Sequence, residues 1–302
     1  MTRELPFVTL DVFAKEAFKG NPLAVVTIPR GTDPKPTQQQ KQTIAREFNL
    51  SETVFVHDDS DQPDRRTIDI FLPTQEIPFA GHPTIGTAVS LLSQGVTTLV
   101  TKAGPIPLVQ PAPGTVQAAI PHKTHLHAAR LASVADSFPP TALSPVQAIK
   151  DAELASPLFS IVDGMTFVLV ELPSLDLLSQ VTLTAADLPQ ETLLDAGSKH
   201  GFLGRYYYVK LSEEPGKVVI RSRMMEGSFE DPATGSAACC LCSYLSRTAG
   251  GPDGTTRYEV TQGVEMGRES HIIVEVGTKA GAIDTVSLAG TAMQIMRGHV
   301  AY

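Results

Sequence analysis

Apolar positions recur along this chain with two spacings, and the switches between them lay out most of its elements. Leu5 to Phe13 and Leu23 to Ile28 carry the dense apolar pattern of strands, on either side of the turn Phe18-Lys-Gly-Asn-Pro. Gln38 to Phe48 instead places Ile44, Ala45 and Phe48 on one face, which predicts a helix. Thr53 to Val56 and Arg66 to Leu72 return to strand spacing. After Gly81-His-Pro, the residues Ile85, Ala88, Val89 and Leu92 fall at helical intervals and predict a helix over Thr84 to Leu92.

From Ala128 to Asp151 the pattern loosens into Ala, Ser and Pro, and a domain junction is expected nearby. A second series then begins. Leu158 to Val162 and Phe167 to Leu172 read as strands, Leu175 to Gln180 as a helix, and Arg205 to Leu211 and Val218 to Met224 as strands. A further helix is predicted after Asp231. The halves share a plan: a strand leads to Ala80-Gly-His-Pro-Thr-Ile-Gly-Thr-Ala and an apolar helix in the first, and to Asp231-Pro-Ala-Thr-Gly-Ser-Ala and another in the second. One supersecondary unit is duplicated.

Composition narrows the class. The 302 residues, 42% hydrophobic and 19% charged, suffice for a full core and two domains. A net charge of −8 argues against a nucleic-acid or anionic-membrane partner, since both need a basic face. No run approaches the roughly 20 apolar residues of a membrane span, and Glu4 and Pro6 interrupt where a signal peptide would keep its apolar core. The cysteines Cys239, Cys240 and Cys242 crowd into one segment, which suits a reducing compartment and a cytoplasmic protein. A small molecule is the expected partner.

Candidate chemistry lies at the two predicted helix starts. Unpaired N–H groups and the positive dipole end attract a carboxylate there. One start carries His82 and the other Asp231, which is expected to cap its helix while facing a cleft. Glu230 reads as an exposed turn residue. His122-Lys-Thr-His125-Leu-His127 has three imidazoles but no Cys, Asp or Glu nearby to complete a metal set, so it reads as a solvated connector and no metal is expected. Cys239 and Cys242 form a C-x-x-C pair within a run of small residues, which reads as the packing of a helix inside a sheet. Gly201-Phe-Leu-Gly-Arg lacks the spacing of a dinucleotide fingerprint, and no nucleotide cofactor is expected.

The segments Gly20-Asn-Pro-Leu-Ala-Val-Val, Asn49-Leu-Ser-Glu-Thr-Val-Phe-Val, Phe79-Ala-Gly-His-Pro-Thr-Ile-Gly-Thr-Ala, Glu230-Asp-Pro-Ala-Thr-Gly-Ser-Ala-Ala and Gln262-Gly-Val-Glu-Met-Gly-Arg resemble, in order, those of the PhzF phenazine-biosynthesis family. The resemblance implies an α+β, diaminopimelate epimerase-like fold. It has two pseudo-symmetric domains, each a β-barrel-like sheet around a central helix, with the active site between them. The expected division is 1–124 with a return segment 288–302, and 125–287, with Thr84 to Leu92 and Gly235 to Leu245 as central helices. A homodimer is implied as well.

The family's reference activity is isomerisation of trans-2,3-dihydro-3-hydroxyanthranilate, in which a ring hydrogen moves from C3 to C1. Carried over by motif, Glu52 would be the acid/base, His82 and Asp231 its catalytic supports, and Ser51, Gly81, Gly235 and Ser236 contacts to the substrate. Metal and organic cofactor are absent from this scheme. A carboxylate that takes and returns a proton needs a pKa well above the roughly 4.3 of free Glu; burial would raise it, and an adjacent ionised Asp231 would raise it further. Two alternatives stand beside this reading. In an epimerase or racemase of the same fold, two thiols would work at the helix starts, where this chain has Ala80 and Pro232. A catalytically idle binding or scaffold protein would keep the fold and the cleft.

Overall fold

Strand-forming runs dominate the chain, and two short helices rich in small residues are enclosed by them. A computed structural model describes residues 3–58, 61–184, 186–198, 200–227, 229–250 and 253–302. It divides into two units, Met1–Ile120 with Leu288–Tyr302, and Pro121–Ser287.

In the first unit β1 (Glu4–Val12) pairs antiparallel with β2 (Asn21–Ile28), and β2 pairs in parallel with β3 (Thr53–His57). Parallel neighbours need a crossover, which α1 (Gln38–Phe48) supplies. A capping box starts that helix: Thr37 Oγ1 accepts from the Gln40 N–H at 3.2 Å, and Gln40 Oε1 accepts from the Thr37 N–H at 2.8 Å. Asn49 ends it in the left-handed conformation, with φ 50°. β3 continues antiparallel into β4 (Arg65–Phe71), which pairs with the short β5 (Glu76–Ile77). α2 (Gly81–Ser90) then crosses to β6 (Thr98–Thr101), parallel to β4, and the chain continues antiparallel through β7 (Gly104–Ala112) and β8 (Thr115–Ala119). The C-terminal strand Ala292–Ala301 returns to pair with β1.

α2 packs against β1, β2, β3, β8 and that C-terminal strand, and each residue from Gly81 to Ala88 is buried. A helix buried on all sides needs small residues: a Cβ on Gly86 would lie 2.6 Å from both Leu23 Cδ2 and Val12 Cγ2. The helix begins three residues before the expected Thr84. Pro83 falls in its first turn, where a missing N–H costs nothing.

A polar anchor fixes α1 to the sheet. Asp69 Oδ2 accepts from Lys41 Nζ at 2.5 Å and lies 2.8 Å from His57 Nε2. Burial alone would raise the Asp69 pKa, but the hydrogen bonds from His57 and Lys41 override it and hold the carboxyl at about 2. A depressed carboxyl stabilises the fold above its unfolded pKa, and that stabilisation is lost as pH falls through about 2. Asp69→Asn is therefore expected to cost about 2 kcal/mol at pH 7. Thermal unfolding at pH 7 and below pH 3 checks this, because the difference from wild type must shrink at the lower pH.

The second unit repeats the scheme. It opens with β9 (His125–Arg130), two 3-10 turns and α3 (Gln147–Ala155), a helix the loosened Ala/Ser/Pro pattern hid. Leu131, Phe138, Ala142, Leu143 and Ile149 from this stretch join the core with Val168, Val170 and Tyr207. β10 (Pro157–Val162) pairs antiparallel with β9 and with β11 (Met165–Glu171). α4 (Leu175–Ser179) and α5 (Gln190–Leu193) lead to β12 (Phe202–Glu214), parallel to β11. β13 (Lys217–Glu226) pairs antiparallel with β12 and with the short β14 (Phe229–Asp231). α6 (Gly235–Thr248) crosses to β15 (Gly254–Gln262), parallel to β13, and β16 (Ser270–Lys279) follows antiparallel. β17 (Ala282–Gly290) leads back to the first unit.

In both units a short antiparallel strand precedes a buried crossover helix and a parallel return, so the duplication read from the sequence extends to the pairing pattern. Cys239, Cys240 and Cys242 are all fully buried in α6, and Cys240 Sγ donates to Phe159 O at 3.1 Å. Burial pushes all three thiols up, so they serve packing. Among the described residues, no helix is long and apolar enough to cross a membrane.

Candidate active site

Three separate turns of the first unit deliver its candidate residues. Gly20 has φ +72° and turns the chain between β1 and β2; a Cβ there would lie 2.3 Å from Val12 O, so the position admits only glycine. Asp11 Oδ2 braces the same turn by accepting from the Phe18 N–H at 2.6 Å. Asn21 follows as the first residue of β2, with 1% of its surface exposed. Asn49 stops α1, and the connector Leu50-Ser51-Glu52 drops Glu52 at the foot of β3, beside β2. Gly81 and His82 are the first two residues of α2, whose N-cap Ala80 makes no side-chain cap.

These turns bring Asn21, Ser51, Glu52, Gly81 and His82 into one region. His82 Nε2 lies 3.5 Å from Glu52 Oε2, and on the other side of the ring His82 Nδ1 lies 3.5 Å from Asn21 Nδ2. The Asn21 amide can donate only to an unprotonated Nδ1, and that tautomer carries its proton on Nε2, toward Glu52. Glu52 Oε2 is buried and meets no hydrogen-bond geometry, and the side chain as a whole is 14% exposed. Burial pushes its carboxyl up from 4.5 to about 7; the neighbouring Ser51 hydroxyl pulls it weakly the other way, its Oγ falling short of full hydrogen-bond geometry. The sequence shared this shift between burial and Asp231. In the structure burial is its first cause.

The second unit holds Asp231, Gly235 and Ser236. Asp231 ends β14 and is 6% exposed, Gly235 opens α6 and is buried, and Ser236 follows half-buried. The N-cap of α6 is Thr234, so the capping role read for Asp231 is corrected. Thr234 Oγ1 donates to Asp231 Oδ2 at 2.5 Å and caps no backbone N–H itself. The chain needs Pro232 and Ala233 to turn from β14 into the helix, which places Asp231 three residues ahead of the N-cap position.

Gln262, at the end of β15, holds this turn from a distance of 31 residues. Its Nε2 donates to Asp231 O at 2.8 Å and to Thr234 Oγ1 at 3.1 Å, while its Oε1 accepts from the Thr234 N–H at 3.2 Å and from Tyr206 Oη at 3.1 Å. Ser222 Oγ donates to Tyr206 Oη at 2.9 Å and completes the buried chain. Gly263 has φ +75°, and a Cβ there would lie 2.5 Å from Pro232 O, so the Gln262-Gly263 turn packs directly on the Asp231-Pro232 turn. Asn21 and Gln262 both stand in motifs singled out in the sequence, yet neither was given a role; their type and position inside those motifs were the available signal.

Glu230 is also corrected. It is no exposed turn residue: its carboxylate pairs with Arg223 through Nε–Oε1 and Nη2–Oε2, both 2.8 Å, and its side chain is 14% exposed. Arg223 Nη1 donates to the carbonyls of Leu178 and Val181 as well, tying α4 to β13. Position along β14 separates the two acids, because neighbours on a strand face opposite sides. The His-rich segment departs from its reading too. His125 and His127 lie on a strand, His127 is 4% exposed, and Asp195 supplies the acid that the sequence lacked nearby.

A family model described as phenazine biosynthesis-like protein (PhzC-PhzF) matches residues 10–298. The chain is 32% identical, over 97% of its length and 98% of the relative's, to trans-2,3-dihydro-3-hydroxyanthranilate isomerase of Pseudomonas fluorescens. Among solved structures, a PhzF-family phenazine biosynthesis protein of Bacillus anthracis matches with a TM-score of 0.75 at 21% identity over 99% of each chain. A predicted epimerase of Pseudomonas aeruginosa matches with a TM-score of 0.71 at 23% identity, over 98% of this chain and 99% of its own. At those identities the structural likeness concerns the fold, and it bears out the α+β, diaminopimelate epimerase-like class expected from the sequence.

Proposed function

This chain belongs to the phenazine biosynthesis-like (PhzC-PhzF) family, and from that premise we propose that it is an isomerase moving a proton within a small cyclic or unsaturated carboxylate, such as trans-2,3-dihydro-3-hydroxyanthranilate. The observation that carries the reading is Glu52, a buried carboxyl poised at about 7 with His82 Nε2 at 3.5 Å. A group that takes a proton from one carbon and returns it to another works best when its two forms are near equal at the working pH. Glu52 meets that condition because water is largely excluded from it, and the same burial strengthens its charge interactions with a bound substrate.

In this scheme the Glu52 carboxylate accepts the proton from C3 of the substrate and, as the carboxylic acid, delivers it to C1. His82, oriented by Asn21, donates from Nε2 to the substrate or to Glu52 and holds the reacting groups in line. Ser51 and Gly81 complete the contacts on this side. In the second unit Asp231, with Gly235 and Ser236, is proposed to orient the substrate; it rests on the family resemblance and on the rigidity that Thr234 and Gln262 give the turn. The reaction needs no redox step and no cofactor. A homodimer and a cytoplasmic location complete the proposal, the first from the resemblance and the second from three buried free thiols.

Incubation of the purified protein with trans-2,3-dihydro-3-hydroxyanthranilate in deuterated water tests the reading. The expected result is isomerised product with deuterium at C1, at a level set by exchange of the Glu52 proton with solvent during turnover. Recovery of unchanged substrate would remove this compound from the proposal, and the same outcome across a panel of small unsaturated carboxylates would remove the isomerase.

A further inference from the structure

We propose that His125, His127 and Asp195 in the second unit form a binding site for a divalent transition-metal ion of the zinc class. One ligand atom from each of the three residues lies within 4.8 Å of the others. His125 Nε2 is 2.7 Å from Asp195 Oδ2, and His127 Nδ1 is 3.9 Å from the same oxygen. Two imidazoles and a carboxylate are a donor set suited to zinc, whose bonds of about 2.0–2.1 Å put tetrahedral ligands about 3.3 Å apart. The two histidine–carboxylate separations bracket that value, and the two imidazole nitrogens lie within 4.8 Å of each other, so closing up the three side chains converts the hydrogen-bonded arrangement into a coordinating one.

The surroundings orient these ligands as metal sites require. His127 Nε2 lies 2.8 Å from Ser160 Oγ, which lies 2.6 Å from Thr166 Oγ1; with the ring proton on Nε2, the Nδ1 lone pair points toward Asp195. That lone pair already accepts the Asp195 N–H at 3.1 Å, which marks its direction; an ion would replace this contact and the hydrogen bond between His125 Nε2 and Asp195 Oδ2. Asp195 Oδ1 is fixed by the Ala128 N–H at 3.1 Å, which leaves Oδ2 to the histidines.

Access is open on one side, since the His125 side chain is 48% exposed and the Asp195 side chain 32%. A fourth position is left for water. The three ligands come from β9 and from the segment after α5, so an ion would tie that segment to the strand. The site belongs to the second unit alone and stands independently of the proposed isomerisation.

Titration of the full-length protein with zinc chloride by calorimetry, and with cobalt chloride by visible absorption, tests the proposal. The expected result is one equivalent bound, a tetrahedral cobalt spectrum, a rise in unfolding temperature with zinc, and affinity weakened about tenfold or more in both His125→Ala and Asp195→Asn. His125 is half exposed, so its alanine variant is expected to fold, and circular dichroism checks that it does. Equal affinity in the wild type and in both variants would place the ion elsewhere and overturn the site, as would no binding to the wild type at 100-fold excess metal.

Discussion

Glu52→Gln is expected to abolish most of the turnover while making the protein more stable at alkaline pH. The amide cannot carry a proton between carbons, and loss of a positioned acid/base lowers kcat by about 10²–10⁴-fold. The stability effect follows from the same burial. The Glu52 carboxyl has a folded pKa of about 7 against 4.5 for the free group. A raised carboxyl favours folding fully below about 4.5, and that contribution is lost as pH rises through about 7. Above that point an ionised carboxylate must be kept out of water, at a cost on the order of 3 kcal/mol. Glutamine has no charge to bury, so the variant gains on wild type between these two pH values.

Thermal unfolding and kcat measured on both proteins at pH 5 and pH 8 check the pair of outcomes. The variant is expected to unfold a few degrees higher at pH 8 and to lose that advantage at pH 5. In wild type, kcat/KM is expected to fall as pH drops below about 7 and the base becomes protonated. Undiminished kcat in Glu52→Gln would falsify the proton-carrier role. A variant less stable than wild type at pH 8 would instead contradict the buried-carboxylate account. The stability arm needs no substrate, so the two failures are distinguishable.

Gln262→Leu carries the second large effect. The side chain is fully buried and its two polar ends serve four partners: the Asp231 carbonyl, the Thr234 hydroxyl, the Thr234 N–H and the Tyr206 hydroxyl. Leucine has similar bulk but leaves these groups without their bonds inside the protein. Each orphaned buried group costs about 1–3 kcal/mol, so a total of about 3 kcal/mol or more is expected. Chemical denaturation of the variant measures it directly. Asp231 is held on both its carbonyl and its carboxylate by this network, so kcat should fall with stability in Gln262→Leu. Asp231→Asn should lower kcat with a smaller loss of stability, because an amide oxygen still accepts from Thr234. A Gln262→Leu protein as stable as wild type would show that the network is dispensable.

Much of the fold is legible in the sequence because its elements have local signals. The bounds of α1 coincide with the apolar face of Gln38–Phe48, its capping box and its terminal Asn49. The small-residue runs Gly81–Ala88 and Gly235–Ser243 mark helices that the structure buries inside sheets. α3 escaped because its few apolar residues, Ile149 and Ala152 among them, sit in a stretch whose prolines read as loop. The candidate site was partly legible. Motifs named Glu52, His82 and Asp231, but nothing in their neighbours along the chain revealed that Asn21 reaches His82, or that Gln262 reaches Asp231.

The amino-acid sequence by itself determined the periodicities, the duplicated strand–helix plan, the family and the residue types at the candidate site. Those are local properties, set within a few residues by backbone sterics and the spacing of apolar side chains. Only the tertiary structure decided what each polar group does. It buried Glu52 and moved its carboxyl to about 7, paired Glu230 with Arg223, and set Asp195 against two histidines nearly 70 residues away. Desolvation and charge pairing depend on distance in space and on the exclusion of water, and neither quantity exists until the strands have closed around their helices.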